Sequence, residues 1–286
     1  HVLGEGIRSS ALAAWLFGRE APVAVIRSLP MVGATLPWRA AQAARTHRRI
    51  VADEASGAVP LQAPSRPARR SNARPAGRQW VRTIVRHRTQ ITGPTVTVGV
   101  LAAVSSALAA HFHALGEDPA GLGAEVPMAK LGTRLAHNHF ANVGIGLYPE
   151  LERDTRIARI VEDFAQRRQR AGHPAMAAAS RAYAATPAPL LRWGVAQFDP
   201  SVRSPVVTGN TVVSSVNRGA ADLHFGAARV VVTAGYPALS PMMGLTHGVH
   251  GIGDTVAVSV HAAESAIGDI DAYIARLERA LGDPSG

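Results

Sequence analysis

The sequence predicts a mixed α/β fold of the α+β kind, and three observations carry that prediction. Some segments space their apolar residues for helix, others alternate them with period two, and the order runs from a mostly helical front to a strand-rich back. The 286 residues are 47% hydrophobic and 17% charged, which supplies a sizeable core and excludes a disordered chain.

The elements follow in order. Positions 7, 11, 12, 15 and 16 are apolar at helical spacing directly after Gly4-Glu5-Gly6, so a loop feeds a first helix over Ile7 to Phe17. Ala58 to Gly77 is rich in Pro, Arg and Ser and reads as a linker or exposed crossover. Past Pro94 and Thr95, a long helix starts near Val98 with Leu101, Val104, Leu108, Phe112 and Leu115 on one face. No charge occurs between Arg88 and Glu117, so a membrane span competes with a buried helix there; Gly99, Ser105, Ser106 and two histidines favour the buried helix. Val143, Ile145 and Leu147 alternate as a strand, and Ile157, Ile160, Val161 and Phe164 continue as a helix after Glu150 and Glu152. Thr211 to Val216, Arg229 to Thr233 and Thr255 to Val260 read as strands, with Gly248 to Gly253 a turn before the last. The final helix has Asp269 as N-cap, Ile270, Tyr273, Ile274, Leu277 and Leu281 on one face, and Gly282 and Pro284 as stop signals.

Charge is local. Twenty-nine of the thirty basic residues are arginine, and Arg27 to Arg88 holds thirteen of them against Asp53 and Glu54, an excess of eleven where the whole chain carries +10. Such a stretch suits phosphates of a coenzyme or an anionic lipid surface. Nucleic acid is disfavoured as a partner, because no zinc-finger, RNP or helix-turn-helix pattern accompanies the charge and no aromatics interleave with it. With no cysteine, thiolate catalysis, disulfide frameworks and cysteine-ligated zinc are excluded.

His1 is the first candidate for chemistry. A histidine near its ordinary pKa accepts a hydroxyl proton at neutral pH, and a nearby carboxylate such as Glu5 orients its ring. The pairs His111/His113, His137/His139 and His247/His250 invite a metal reading, but His111 and His113 lie in a predicted helix where i and i+2 diverge, and spacing offers no third ligand. No metal is expected.

His1-Val2-Leu3-Gly4-Glu5-Gly6 and the helix after it resemble the second histidine onward of the HHxxxDG motif of the bacterial wax ester synthase/diacylglycerol acyltransferase family. On that alignment the chain begins inside the motif, as a fragment. The similarity continues through Gly93 to Val104, which resembles the family's TVNDVVLAAV helix start, and through Glu125-Val126-Pro127, Leu131 to Arg134, Leu147-Tyr148-Pro149 and Glu152-Arg153. Val213 to Val216, Phe225-Gly226-Ala227, the Thr255 to Val260 strand and the helix at Asp271 follow in the family's order. Three departures stand out: Glu5 replaces the motif aspartate, Thr97 and Val98 replace an Asn-Asp pair, and Ser214 to Gly219 replaces the SNVPGP run.

The resemblance implies a two-lobed, chloramphenicol acetyltransferase-like fold: residues 1–57 from the N-terminal lobe, 58–90 the crossover, and 91–286 the C-terminal domain. It implies acyl-CoA as a substrate, no cofactor, and diacylglycerol or a long-chain alcohol as acceptor. His1 would be the general base, Glu5 and Gly6 structural members of the motif, and Thr97 support for the oxyanion or acceptor. The departures motivate an alternative, a catalytically degenerate relative that binds lipid or a partner. Localisation is expected to be cytoplasmic, with residues 66–88 holding the protein peripherally at the anionic inner face of the plasma membrane.

Overall fold

The computed structural model describes residues 6–20, 22–23, 25–27, 33–136, 138–199 and 201–282. The chain runs through α1 (Gly6–Leu16), α2 (Leu36–Ala55), β1 (Arg66–Pro67), β2 (Gln79–His87) and α3 (Val96–Ala114). Strands β3 (Gly123–Ala129) and β4 (Phe140–Gly146) precede α4 (Arg153–Ala171), α5 (Pro174–Ala184) and α6 (Ala188–Ala196). Then come β5 (Val206–Val207), β6 (Thr211–Asn217), β7 (His224–Phe225), β8 (Ala228–Arg229), β9 (Leu245–Ile252), β10 (Thr255–Ala263) and α7 (Ile270–Gly282).

Six strands form one mixed sheet in the order β2-β10-β9-β6-β3-β4. The central strand β6 lies parallel to β3 and β9, and the other pairings are antiparallel. Period-two alternation gives each strand one face toward the helices. Val213, Val249, Val256, Val258 and Val260 meet Leu101, Leu108 and Phe112 of α3 and Tyr273 and Leu277 of α7 in the main core. Thirteen of the nineteen α3 residues are buried, so the uncharged run is a core helix. Its start is fixed by the Thr95 hydroxyl, which accepts from the Val98 N–H at 3.2 Å.

Two expectations change. Gly248 to Ile252 lies inside β9 rather than in a turn, and only Gly253, at φ 53°, makes the turn into β10. Glycine is needed at 248 because the backbone of Gly235 lies directly on it. Of Arg229 to Thr233 only Arg229 is in a strand; Val231 and Val232 are exposed, with no neighbouring strand in register. The Ala58 to Gly77 crossover is exposed along much of its length and is also pinned to the body of the protein. Asn72 is fully buried; its amide donates to the Gly209 and Met242 carbonyls, both at 3.1 Å, and its oxygen accepts from Asn210 at 2.9 Å. Arg167 and Arg170 of α4 hold the Leu61 and Pro60 carbonyls of the same crossover.

A polar chain crosses the core. The Thr211 hydroxyl and His247 Nδ1 are 2.9 Å apart, and His247 Nε2 and the Tyr273 hydroxyl 2.8 Å. The His111 ring meets the Tyr273 ring edge-on at 5.7 Å. Burial pushes His247 down to about 4, and burial followed by Arg276 and Arg70 pushes His111 down to about 4. Both rings are neutral when folded and gain a proton on unfolding below their ordinary value of 6.5. Their contribution is complete above that pH and is lost as pH falls toward 4, at up to about 1.4 kcal/mol per pH unit each. Urea unfolding of His247→Gln across this window is expected to show a pH slope shallower by about one proton. An unchanged slope would mean that His247 titrates normally in the folded protein.

Candidate functional site

Val212, Ser214 and Val216 alternate with the core-facing Val213 and so belong to the sheet face turned away from α3 and α7. Register places Glu125 beside Val212 and His250 beside Val216 on that face. With Pro127 and Asn142 they line an open cleft of about 870 Å³. Residues 204–208 and 235–243 provide walls, and Gly6, Ile7 and Ser9 of α1 border one end. The 235–243 wall is pinned to the sheet: the Pro237 carbonyl accepts from Thr246 Oγ1 at 2.7 Å and from His261 Nδ1 at 3.1 Å, and the Tyr236 hydroxyl meets Thr83 Oγ1 at 2.5 Å.

Beneath α1 lies a second cavity of about 600 Å³, lined largely by apolar side chains including Ala14, Phe17, Leu223 and Val230. Val216 and Arg218 line both spaces. Helix α1 is seated by Arg218 Nη1, which donates to Ser10 Oγ at 2.6 Å. Arg19 holds its far end, pairing with Asp222 and donating to the Arg218 and Ala220 carbonyls.

The two ends of the cleft differ in charge. Burial raises the Glu125 carboxyl, partly offset by the Asn142 amide that donates to it at 3.1 Å. Burial, followed by the Arg218 charge, pushes His250 down to about 4, so this ring is neutral at physiological pH. Four residues of strand, about 13 Å, separate the two positions along the sheet.

Of the sequence-derived site residues, His1 and Glu5 lie outside the described residues. Gly6 begins α1 and lines the cleft. Thr97 sits in the first turn of α3, where its hydroxyl donates to Ser215 Oγ at 2.9 Å; Ser215 itself lines the cleft, so Thr97 reaches it through one intermediary. Val98 is buried in the core. Among the histidine pairs, His111 and His113 are on a helix, His137 lies outside the described residues, and His247 is spent on Thr211 and Tyr273. Arg218 and His250 are cleft residues; sequence reasoning assigned Arg218 no role and weighed His250 only as a metal ligand. Their signal was period-two spacing through Thr246, Gly248 and His250, hidden by the glycines.

Compared with solved structures, the chain is similar to the wax ester synthase/diacylglycerol acyltransferase from Marinobacter aquaeolei VT8, with a TM-score of 0.55 and 17% identity over 96% of this chain. The two share a chloramphenicol acetyltransferase-like fold, helices packed on one mixed sheet. The chain spans 63% of the length of that protein. The starter condensation domain of rhizomide synthetase in complex with C8-CoA matches more loosely, at a TM-score of 0.49 and 14% identity over 98% of this chain and 62% of that one. No family model matches the sequence, and no curated protein matches it.

The cleft depends on the 235–243 wall lying flat on the sheet. A Cβ at Gly248 would run into the Gly235 carbonyl, whereas one at Gly268 meets nothing within 4 Å. Gly248→Ala is expected to displace the wall and cost about 1–3 kcal/mol, and Gly268→Ala to stay within about 0.5 kcal/mol of the parent. Thermal unfolding of the two variants checks this, and equal melting temperatures would contradict it.

Proposed function

We propose that the protein is an acyl-CoA-dependent O-acyltransferase that moves a long-chain acyl group to the hydroxyl of diacylglycerol or a long-chain alcohol. One observation carries the reading: the cleft is bordered by Gly6, the residue that closes the histidine-led sequence His1 to Gly6, within the fold shared with the wax ester synthase/diacylglycerol acyltransferase. Val206, Val207, Val212 and Met242 give the cleft hydrocarbon walls suited to alkyl chains.

In this reading His1 is the general base. Its imidazole takes the hydroxyl proton as the acceptor oxygen bonds to the thioester carbonyl carbon. The tetrahedral oxyanion then collapses, the carbon–sulfur bond breaks, and the proton passes to the departing thiolate. Glu5 and Gly6 shape the loop that carries the base, and Thr97 supports the oxyanion or acceptor through Ser215. Val98 contributes no carboxylate where the family has one. That same valine, with serine at 215, favours a second reading, a degenerate relative that binds lipid or a partner without turnover.

The test follows CoA release by the full-length protein from palmitoyl-CoA, with and without dodecanol or diacylglycerol. Acceptor-dependent release that falls about 10²- to 10⁴-fold in His1→Ala is expected. Acyl-CoA binding without release would select the second reading, and release indifferent to His1→Ala would remove His1 as the base.

Peripheral attachment at the inner leaflet belongs to the same proposal. Arg66, Arg69, Arg82 and Arg86 are engaged by protein carbonyls or carboxylates, whereas Arg74, Arg78 and Arg88 are exposed. Cosedimentation with anionic vesicles is expected to weaken as salt rises, and to drop further in a triple glutamine variant of those three arginines. Binding indifferent to both salt and anionic lipid would refute the attachment.

A further inference from the structure

Among the described residues that line the cleft, Glu125 is the one carboxylate. It stands on β3 with Val212 of β6 beside it and Gly144 of β4 opposite, and Thr208 and Ala63 close over Gly144. These neighbours carry no charge. They strip water from the carboxyl without supplying a counter-ion, and that burial raises its pKa. A partly desolvated carboxylate is ordinarily paired with a cation. Here no arginine, lysine or histidine among the described residues acts on it.

The Asn142 amide, diagonal to Glu125 across β3 and β4, donates to Glu125 Oε2 at 3.1 Å. That bond holds the carboxyl in place without neutralising it. With the amide N–H spent, Glu125 Oε1 and Asn142 Oδ1 remain as acceptors, and among the described residues no side chain donates to either. Asn142 is exposed and Glu125 half-buried, so both are reached from the cleft. Two accessible acceptors and one negative charge are completed by a group that brings positive charge and N–H donors together. Val206, Val207, Val212 and Met242 wall the same cleft with hydrocarbon.

We propose that the cleft binds a long-chain amine, with its ammonium head between Glu125 and Asn142 and its alkyl chain along the apolar wall. This ligand class is distinct from the neutral acceptors of the acyl-transfer reading, and its binding does not require turnover. The chain as a whole carries +10, which disfavours non-specific adsorption of a cationic amphiphile. A preference for the cation therefore reports a local carboxylate.

Calorimetric titration of the intact protein with dodecylamine and dodecanol, at about pH 7 and below micelle-forming concentrations, tests the site; the amine is protonated there, as lysine is. Dodecylamine is expected to bind about tenfold more tightly than dodecanol. The preference is expected to disappear in Glu125→Gln and to persist in Glu150→Gln, which removes an exposed carboxylate outside the cleft. Dodecanol binding as tightly as dodecylamine would overturn the proposal. So would a cation preference that survives in folded Glu125→Gln, or one that falls equally in Glu150→Gln. Each variant is first checked by thermal unfolding, and Glu125→Ala, read in the same way, stands in if Glu125→Gln does not fold. Neither probe is a thioester, so a failure here reads separately from a failure of acyl transfer.

Discussion

The packing of α3 against one face of the sheet is the constraint from which the rest follows. A helix with no charged residue and thirteen buried positions is stable only between apolar layers, here the sheet, α4 and α7. Its burial gives every sheet strand a dry face, and the period-two geometry of strands then sends the intervening side chains to the other side. Polar groups admitted to the dry face, Thr211, His247 and Tyr273, are bonded to one another, which makes them tolerable there.

The opposite face is covered only in part. Over β9 and β10 the 235–243 segment lies close to the sheet, a contact that glycine at 248 permits. Over β6 and β3 the cover stands back, and the resulting space has Glu125 toward one end and Arg218 with His250 toward the other. The cleft therefore has two chemically unlike ends.

Legibility in the sequence followed side-chain pattern. Helices α1, α3, α4 and α7 were readable because their apolar stripes are regular, β4 and β10 because apolar residues alternate, and β6 because it is rich in Val. Strand β9 was not, since Gly248 and Gly251 imitate a turn in sequence while serving close backbone approach in space. Strand β2 was hidden by its arginines: Arg82 and Arg86 share the inward face of Ile84, where they pair with Asp271 and Glu278 of α7. The crossover looked like linker because Pro and Arg dominate it, and one asparagine, Asn72, decides otherwise through bonds to residues far along the chain. The cleft was half legible: Gly6 was singled out, while His250 and Arg218 acquire meaning only when β6 and β9 are placed side by side.

The pairing of β2 with β10 joins distant parts of the polypeptide; the contact between Arg78 and Glu264 that extends it spans 186 positions. During synthesis β2 leaves the ribosome long before its sheet neighbour β10 exists. Until β10 arrives, Val81, Ile84 and Val85 sit in a strand with two open edges. Such a segment is prone to mispair with other nascent chains. Like charge at Arg82, Arg86 and Arg88 opposes the stacking of such waiting strands on one another.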